Sequence, residues 1–276
     1  MSKKICTGDL PRIHALLRQA VGKSDYTDLR RMGGLTNRTY RADERISTEL
    51  ACSLGIDTPL LCFDDDGAKV SEFIHGAVTM SSETMKEPHR IEQAAALLRI
   101  LHNCGEDTGV PFEVFDMARS YESIIKSKNV PMFGDYSDTK ATVMDIKREL
   151  DAHGMSGKVP CHNDPLCENW VVSDTDRLYL IDWEYAGMND GMWDVAAVSI
   201  EAGYGRTDDE RFLAAYLDHT PSDAERKHLL ASKIYVDYLW TLWAKTRVPY
   251  DGQSMEEWAA MRYARLKANI AELSAL

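Results

Sequence analysis

No run of apolar residues in the 276-residue sequence approaches the roughly 20 needed to span a bilayer, so no membrane insertion is expected. The start, Met1-Ser2-Lys3-Lys4, is followed by Asp9, Arg12 and His14 rather than the apolar core of a secretory signal, and the expectation is a soluble, cytoplasmic protein. There is no Cys-x-x-Cys pair, and the six cysteines share no metal-ligand rhythm with the eight histidines, which argues against a zinc site or a disulfide framework. Positive charge is also short. Lys and Arg number 32 against 44 Asp and Glu, and the net charge of −12 repels a nucleic-acid backbone while attracting a small cation. Repeats and low-complexity linkers are absent, and a homodimer is left open.

What is present supports a sizeable core: 44% hydrophobic and 28% charged residues. An opening helix places Leu10, Ile13, Leu16, Leu17 and Ala20 on one stripe. Short segments follow: Leu29–Met32, a Gly33-Gly34 break, Arg38–Ala42, a helix Asp43–Leu54 stopped by Gly55, and strands Leu60–Phe63 and Ala68–Ile74 around an Asp-Asp-Asp-Gly turn. From about Ser82 helical periodicity dominates, with Ile91, Ala94, Ala95, Leu98 and Leu101 on one face. Later helices are expected near 116–129, 139–153, 190–203, 207–218, 222–247 and 254–275. The reading is an α+β protein with a small strand-rich lobe over 1–81, a larger helical lobe over 82–276, and its site in the cleft.

One irregular stretch, Val159–Asp182, interrupts the helices. Within it Cys161-His162-Asn163-Asp164-Pro165 breaks the chain, Trp170–Ser173 reads as a strand, and Leu178–Ile181 returns after the turn Asp174–Arg177. Pairing of 169–173 with 178–182 would set Asn169 and Asp182 facing each other at the open end of a hairpin. Magnesium takes hard oxygen ligands and leaves room for phosphates, and phosphoryl transfer needs a separate carboxylate to accept the proton of the attacking hydroxyl. Asn169 and Asp182 suit the metal; Asp164 suits the proton.

The joint pattern His162-x-Asp164-x-x-x-x-Asn169 followed by Ile181-Asp182-Trp183-Glu184-Tyr185-Ala186-Gly187 resembles the catalytic and metal-binding motifs of the choline/ethanolamine kinase family. The aminoglycoside phosphotransferases share the first motif; the second is closer to the choline kinase form. The resemblance implies a bilobal protein-kinase-like fold and transfer of the γ-phosphate of ATP, with Mg²⁺, to the hydroxyl of a small cationic amino alcohol. It makes Asp164 the base and places His162 in the catalytic loop, as a brace. For the acceptor it implies an aromatic and acidic pocket of Glu201, Trp240, Trp243, Trp258 and Tyr263, since a cation is held well by ring faces with a carboxylate nearby. Gly33, Gly34, Thr36 and Asn37 resemble the nucleotide-binding loop, Glu72 and Ile74 the hinge that holds adenine, and Glu44 the helix glutamate that pairs with a phosphate-gripping cation.

One element of that fold is missing. A strand bearing Lys or Arg should return between Ala42 and the helix, yet only Asp43 separates them, and an extended residue spans only about 3.3 Å. Since loss of the strand would damage the sheet, the reading favours residues omitted between Ala42 and Asp43. Lys69, beside a turn, is read as solvated rather than as a substitute. The rival functions are a related kinase of thiamine, an aminoglycoside or an amino sugar, and an inactive pseudokinase that binds without transfer.

Overall fold

The computed structural model describes residues 10–21, 41–64, 67–152 and 157–276. In chain order its elements are α1 (Leu10–Val21), α2 (Arg41–Ser53), β1 (Leu60–Phe63), β2 (Lys69–Ser71), β3 (Val78–Thr79), α3 (Pro88–His102), α4 (Val114–Ser127) and α5 (Tyr136–Ala152). There follow β4 (Lys158–Cys161), β5 (Trp170–Val172), β6 (Leu178–Leu180), β7 (Gly187–Asp190), α6 (Gly191–Ala202), α7 (Arg206–Leu217), α8 (Asp223–Asp251) and α9 (Gln253–Ser274). The chain groups into two compact units, Met1–Met80 with Glu168–Ala186, and Ser81–Cys167 with Gly187–Leu276.

In the first unit β1 and β2 form an antiparallel hairpin, Cys62 opposite Val70 and Phe63 opposite Lys69, with a bulge between Leu60 and Cys62. Asp64 starts its turn by accepting the N–H of Ala68 at 2.8 Å, and Gly67 supplies a φ of +79°. A second antiparallel sheet has the order β3-β5-β6. It is fastened to the loop after α2, where Leu180 donates to the Ile56 carbonyl at 3.1 Å and Arg177 to the Gly55 carbonyl at 2.7 Å. At Gly76 (φ +64°) a Cβ would lie 2.6 Å from that of Asp174, so only glycine lets the β5–β6 turn close on this loop.

Two sequence expectations are corrected here. Helix α2 runs unbroken through Ala42 and Asp43, so no residues are omitted between them. Arg41 and Ala42, expected to end a strand, instead open this helix, in which Arg45 and Glu49 form an i,i+4 ion pair at 2.8 Å. Residues 22–40 lie outside the described residues, and with them Gly33, Gly34, Thr36 and Asn37.

The second unit is helical around the small antiparallel pair β4–β7. Ala94, Ala95, Leu98, Val195, Ala196, Ile234, Leu239, Leu242 and Leu266 are fully buried and form its core. Helix α6 starts at Asp190, whose carboxylate accepts the Met192 N–H at 3.0 Å, and stops at Gly203 in the left-handed conformation, φ +65°. Helix α8 begins with a capping box: Ser222 accepts from the N–H of Glu225 at 3.3 Å, and Glu225 accepts from that of Ser222 at 2.7 Å. It carries Pro249 in its last turn and ends at Asp251, a few residues beyond the expected stop. Strands β3, β4 and β7 were not expected from sequence. Among the described residues no helix is long and apolar enough to cross a membrane.

Candidate active site

Strand β4 delivers the chain into His162-Asn163-Asp164, and the buried carboxylate of Asp194 holds this turn from below. It accepts the backbone N–H groups of His162 and Asn163, each at 2.7 Å, and lies 3.2 Å from His102 Nε2. Asn163 is fully buried in the left-handed conformation, φ +67°. Its carbonyl accepts the Trp193 indole N–H at 2.9 Å, its side-chain oxygen accepts from Asn189 at 2.9 Å, and its amide donates to the Gly187 carbonyl at 3.3 Å. His162 is also fully buried, and its Nδ1 accepts the backbone N–H of Asp164 at 3.3 Å. The ring thus braces the loop, and Asp164 stands half-buried on a backbone fixed from both sides.

Asp194, Asn163, Asn189 and Trp193 were not assigned this work from sequence. The signal for Asp194 is that it is the one carboxylate in the stretch Gly191–Ile200 of α6, every residue of which is buried. A lone charge in such a helix needs an internal partner.

In the first unit the β5–β6 hairpin carries Asn169 and Asp182 at its open end, as expected, but with a different register. Trp170 pairs with Leu180, and Ile181 rather than Asp182 lies opposite Asn169, donating to its carbonyl at 2.9 Å. The strand then breaks at Asp182, whose φ of +71° turns the chain out of the ladder. Asp182 is exposed and has no hydrogen bond or ion pair among the described residues. The next side chain, Trp183, is buried and donates its indole N–H to Asp57 at 3.1 Å. Burial pushes the Asp57 carboxyl up to about 6, the negative charge of Asp182 adding to this, while the Thr58 N–H, the charge of Lys69 and the Trp183 indole oppose it. An unpartnered carboxylate and an amide oxygen, close to a second carboxylate that feels the excess negative charge, fit a hard divalent cation such as Mg²⁺.

The hinge expectation falls in the same unit. Glu72 donates its N–H to the Pro59 carbonyl at 2.9 Å and accepts the Thr58 hydroxyl at 2.7 Å, leaving its carbonyl one lone pair. The N–H of Ile74 has no acceptor among the described residues. A donor and an acceptor two residues apart suit the edge of a purine. Asp174 donates to the His75 carbonyl at 3.0 Å and Met80 to that of Trp170 at 2.9 Å, so hinge and hairpin are parts of one body. Glu44, in the first turn of α2, accepts from Lys69 Nζ at 2.9 Å.

In the second unit, Trp240, Trp243 and Trp258 form a row of edge-to-face rings, with centroids 6.0 and 5.9 Å apart. Glu201 joins this row through a residue the sequence reading passed over. Arg262 is buried, ion-pairs with Glu201, reaches Asp237 at 3.2 Å, and holds its guanidinium 4.0 Å above the Trp258 ring. A cation of the chain therefore already occupies one face of the expected cage. Its spacing of four from Trp258 on α9 was the available clue. Tyr263 stands apart from the row, stacked on Phe133 at 4.1 Å with its hydroxyl donating to Asp135 and accepting from the Thr139 hydroxyl, each at 2.8 Å; burial pushes the Tyr263 hydroxyl up to about 12.

The family described as choline/ethanolamine kinase matches residues 29–265. LicA of Haemophilus influenzae is 28% identical over 239 residues, which cover 83% of this chain and 86% of that protein. Among solved structures, a choline/ethanolamine kinase family protein from Mesorhizobium loti superposes with a TM-score of 0.85 at 32% identity, covering 96% of this chain and 95% of its own. Choline kinase LicA from Streptococcus pneumoniae gives 0.74 at 32% identity, with 85% and 81% covered. The expected kinase-like α+β fold is borne out by these neighbours.

Proposed function

The chain belongs to the choline/ethanolamine kinase family, phosphotransferases with an alcohol group as acceptor, and on that premise we propose that it transfers the γ-phosphoryl group of ATP to the hydroxyl of choline or ethanolamine. The observation that carries the reading is the fixed catalytic loop: Asp194 pins its backbone, His162 accepts the N–H of Asp164, and Asp164 itself is half-buried rather than enclosed. Asp164 takes the proton of the acceptor hydroxyl as that oxygen bonds to the γ-phosphorus and the bond to the β-phosphate oxygen breaks, with ADP as leaving group. Asn169 and Asp182 would hold Mg²⁺, which supplies neutralisation of phosphate charge. Glu72 and Ile74 would hold the adenine through their main chain.

Between the two acceptors the arrangement favours choline. A primary ammonium needs hydrogen-bond acceptors, and the Glu201 carboxylate is already engaged by Arg262. A trimethylammonium group gains mainly from ring faces, which the half-buried Trp243 and Trp258 can supply.

The test is ADP release from ATP·Mg with choline, ethanolamine, thiamine and kanamycin offered separately. Turnover on choline, with ethanolamine weaker, is expected; turnover confined to thiamine or kanamycin would sink the acceptor assignment.

A further inference from the structure

Phosphoryl transfer from ATP calls for a cation on the phosphates, held in place by a carboxylate. Among the described residues no strand precedes α2 to carry one. Three other cations among the described residues of the first unit are engaged elsewhere. Arg12 pairs with Asp64 at 3.4 Å, Arg45 with Glu49 at 2.8 Å, and Arg177 with the Gly55 carbonyl at 2.7 Å.

Lys69 differs from these in its surroundings. It opens β2, opposite Phe63, on a strand whose other edge has no partner among the described residues. Its ammonium lies 2.9 Å from Glu44, the glutamate that the family resemblance assigns to the phosphate cation. The Lys69 side chain is 31% exposed and that of Glu44 15%, so the ammonium is held on one side and open on the other. An ammonium has three donors, and one carboxylate oxygen uses one of them. The strand that carries Lys69 runs directly into Glu72 of the hinge, only three residues on. The lysine charge is also felt by Asp57, which in turn feels Asp182, so the cation lies among the acidic groups on the metal side of the same unit.

We propose that Lys69 is the phosphate-gripping cation of this chain, positioned by Glu44 and supplied from β2. Its two remaining donors take phosphate oxygens of the nucleotide while Glu44 holds the third. This inference rests on the phosphotransferase reading above, and its test separates the two.

A fluorescent ATP analogue is titrated, with Mg²⁺, against the parent protein and Lys69→Met, Lys69→Arg and Glu44→Gln, alongside KM for ATP and for choline. Lys69→Met should weaken nucleotide binding and raise KM for ATP by about tenfold or more, as loss of a charge-assisted hydrogen bond implies. Lys69→Arg should recover part of that loss and Glu44→Gln fall between, with KM for choline unchanged throughout. Nucleotide binding by Lys69→Met equal to the parent's, in a protein with parental circular dichroism, overturns the proposal. Weakened binding in Lys69→Met alongside a parent that forms no ADP on any acceptor would uphold Lys69 as the nucleotide cation and overturn the kinase reading instead.

Discussion

The indole of Trp183 donates its N–H to the carboxylate of Asp57 across 3.1 Å, both side chains being buried. The bond ties the residue after Asp182 to the loop that follows α2. Burial makes Asp57 a stability sensor as well. The folded-state value of this carboxyl is raised to about 6 from 3.8, chiefly by burial. A raised carboxyl contributes stability that is fully present below about pH 4 and is lost as the pH climbs through about 6, an effect of roughly 3 kcal/mol. Urea unfolding without divalent cations, compared between the parent and Asp57→Asn from pH 4 to 7, should show the variant gaining on the parent as the pH rises. A constant difference would mean that Asp57 ionises freely.

Asp164→Ala removes the proposed proton acceptor and leaves in place the bonds from Asp194 and His162 to the backbone of the loop. The expected result is a fall in kcat of about 10²- to 10⁴-fold with ATP affinity retained. A parental rate would reassign the base.

Asp194→Ala should act through the fold. Two buried N–H groups, those of His162 and Asn163, lose their acceptor, and His102 loses its carboxylate. Removing one partner from such a buried set costs about 3–5 kcal/mol. A lowered urea midpoint together with a lower kcat is expected, and Asp194→Asn should recover part of both, because its one remaining oxygen can still accept.

Asn169→Ala and Asp182→Asn should each raise the Mg²⁺ concentration for half-maximal activity by about tenfold, as loss of one hard ligand implies. Indifference of the Mg²⁺ titration to both changes would remove them as ligands.

Trp243→Ala should raise KM for choline several-fold, consistent with about 1 kcal/mol for a cation on a ring face. Glu201→Gln should do less, because Arg262 already meets that carboxylate. The reverse order would make Glu201, not the ring row, the main anchor.

The long helices were legible because their apolar positions recur with helical spacing, as at Ile91, Ala94, Ala95, Leu98 and Leu101 in α3. The β5–β6 hairpin was legible from two short apolar runs around the turn at Asp174. Strand β3 was not, since its two residues are both exposed and leave no alternation to read. The pinning of the catalytic loop by Asp194, 32 positions beyond His162, is a tertiary fact with only one local trace, a carboxylate in an apolar helix. Arg262 shows the same limit: the acid and the rings could be named from sequence, but not that a guanidinium of the chain lies against them.

The segment Glu168–Ala186 belongs with Met1–Met80, although Ser81–Cys167 intervenes in the chain. Its strand β5 is the centre of the sheet whose edge, β3, ends just before Ser81. A gene fragment ending at residue 80 therefore encodes an edge without its middle. On the ribosome, the front unit cannot close its second sheet until the second half of the gene is being read, so Asn169 and Asp182 arrive with the strands that complete the fold around them.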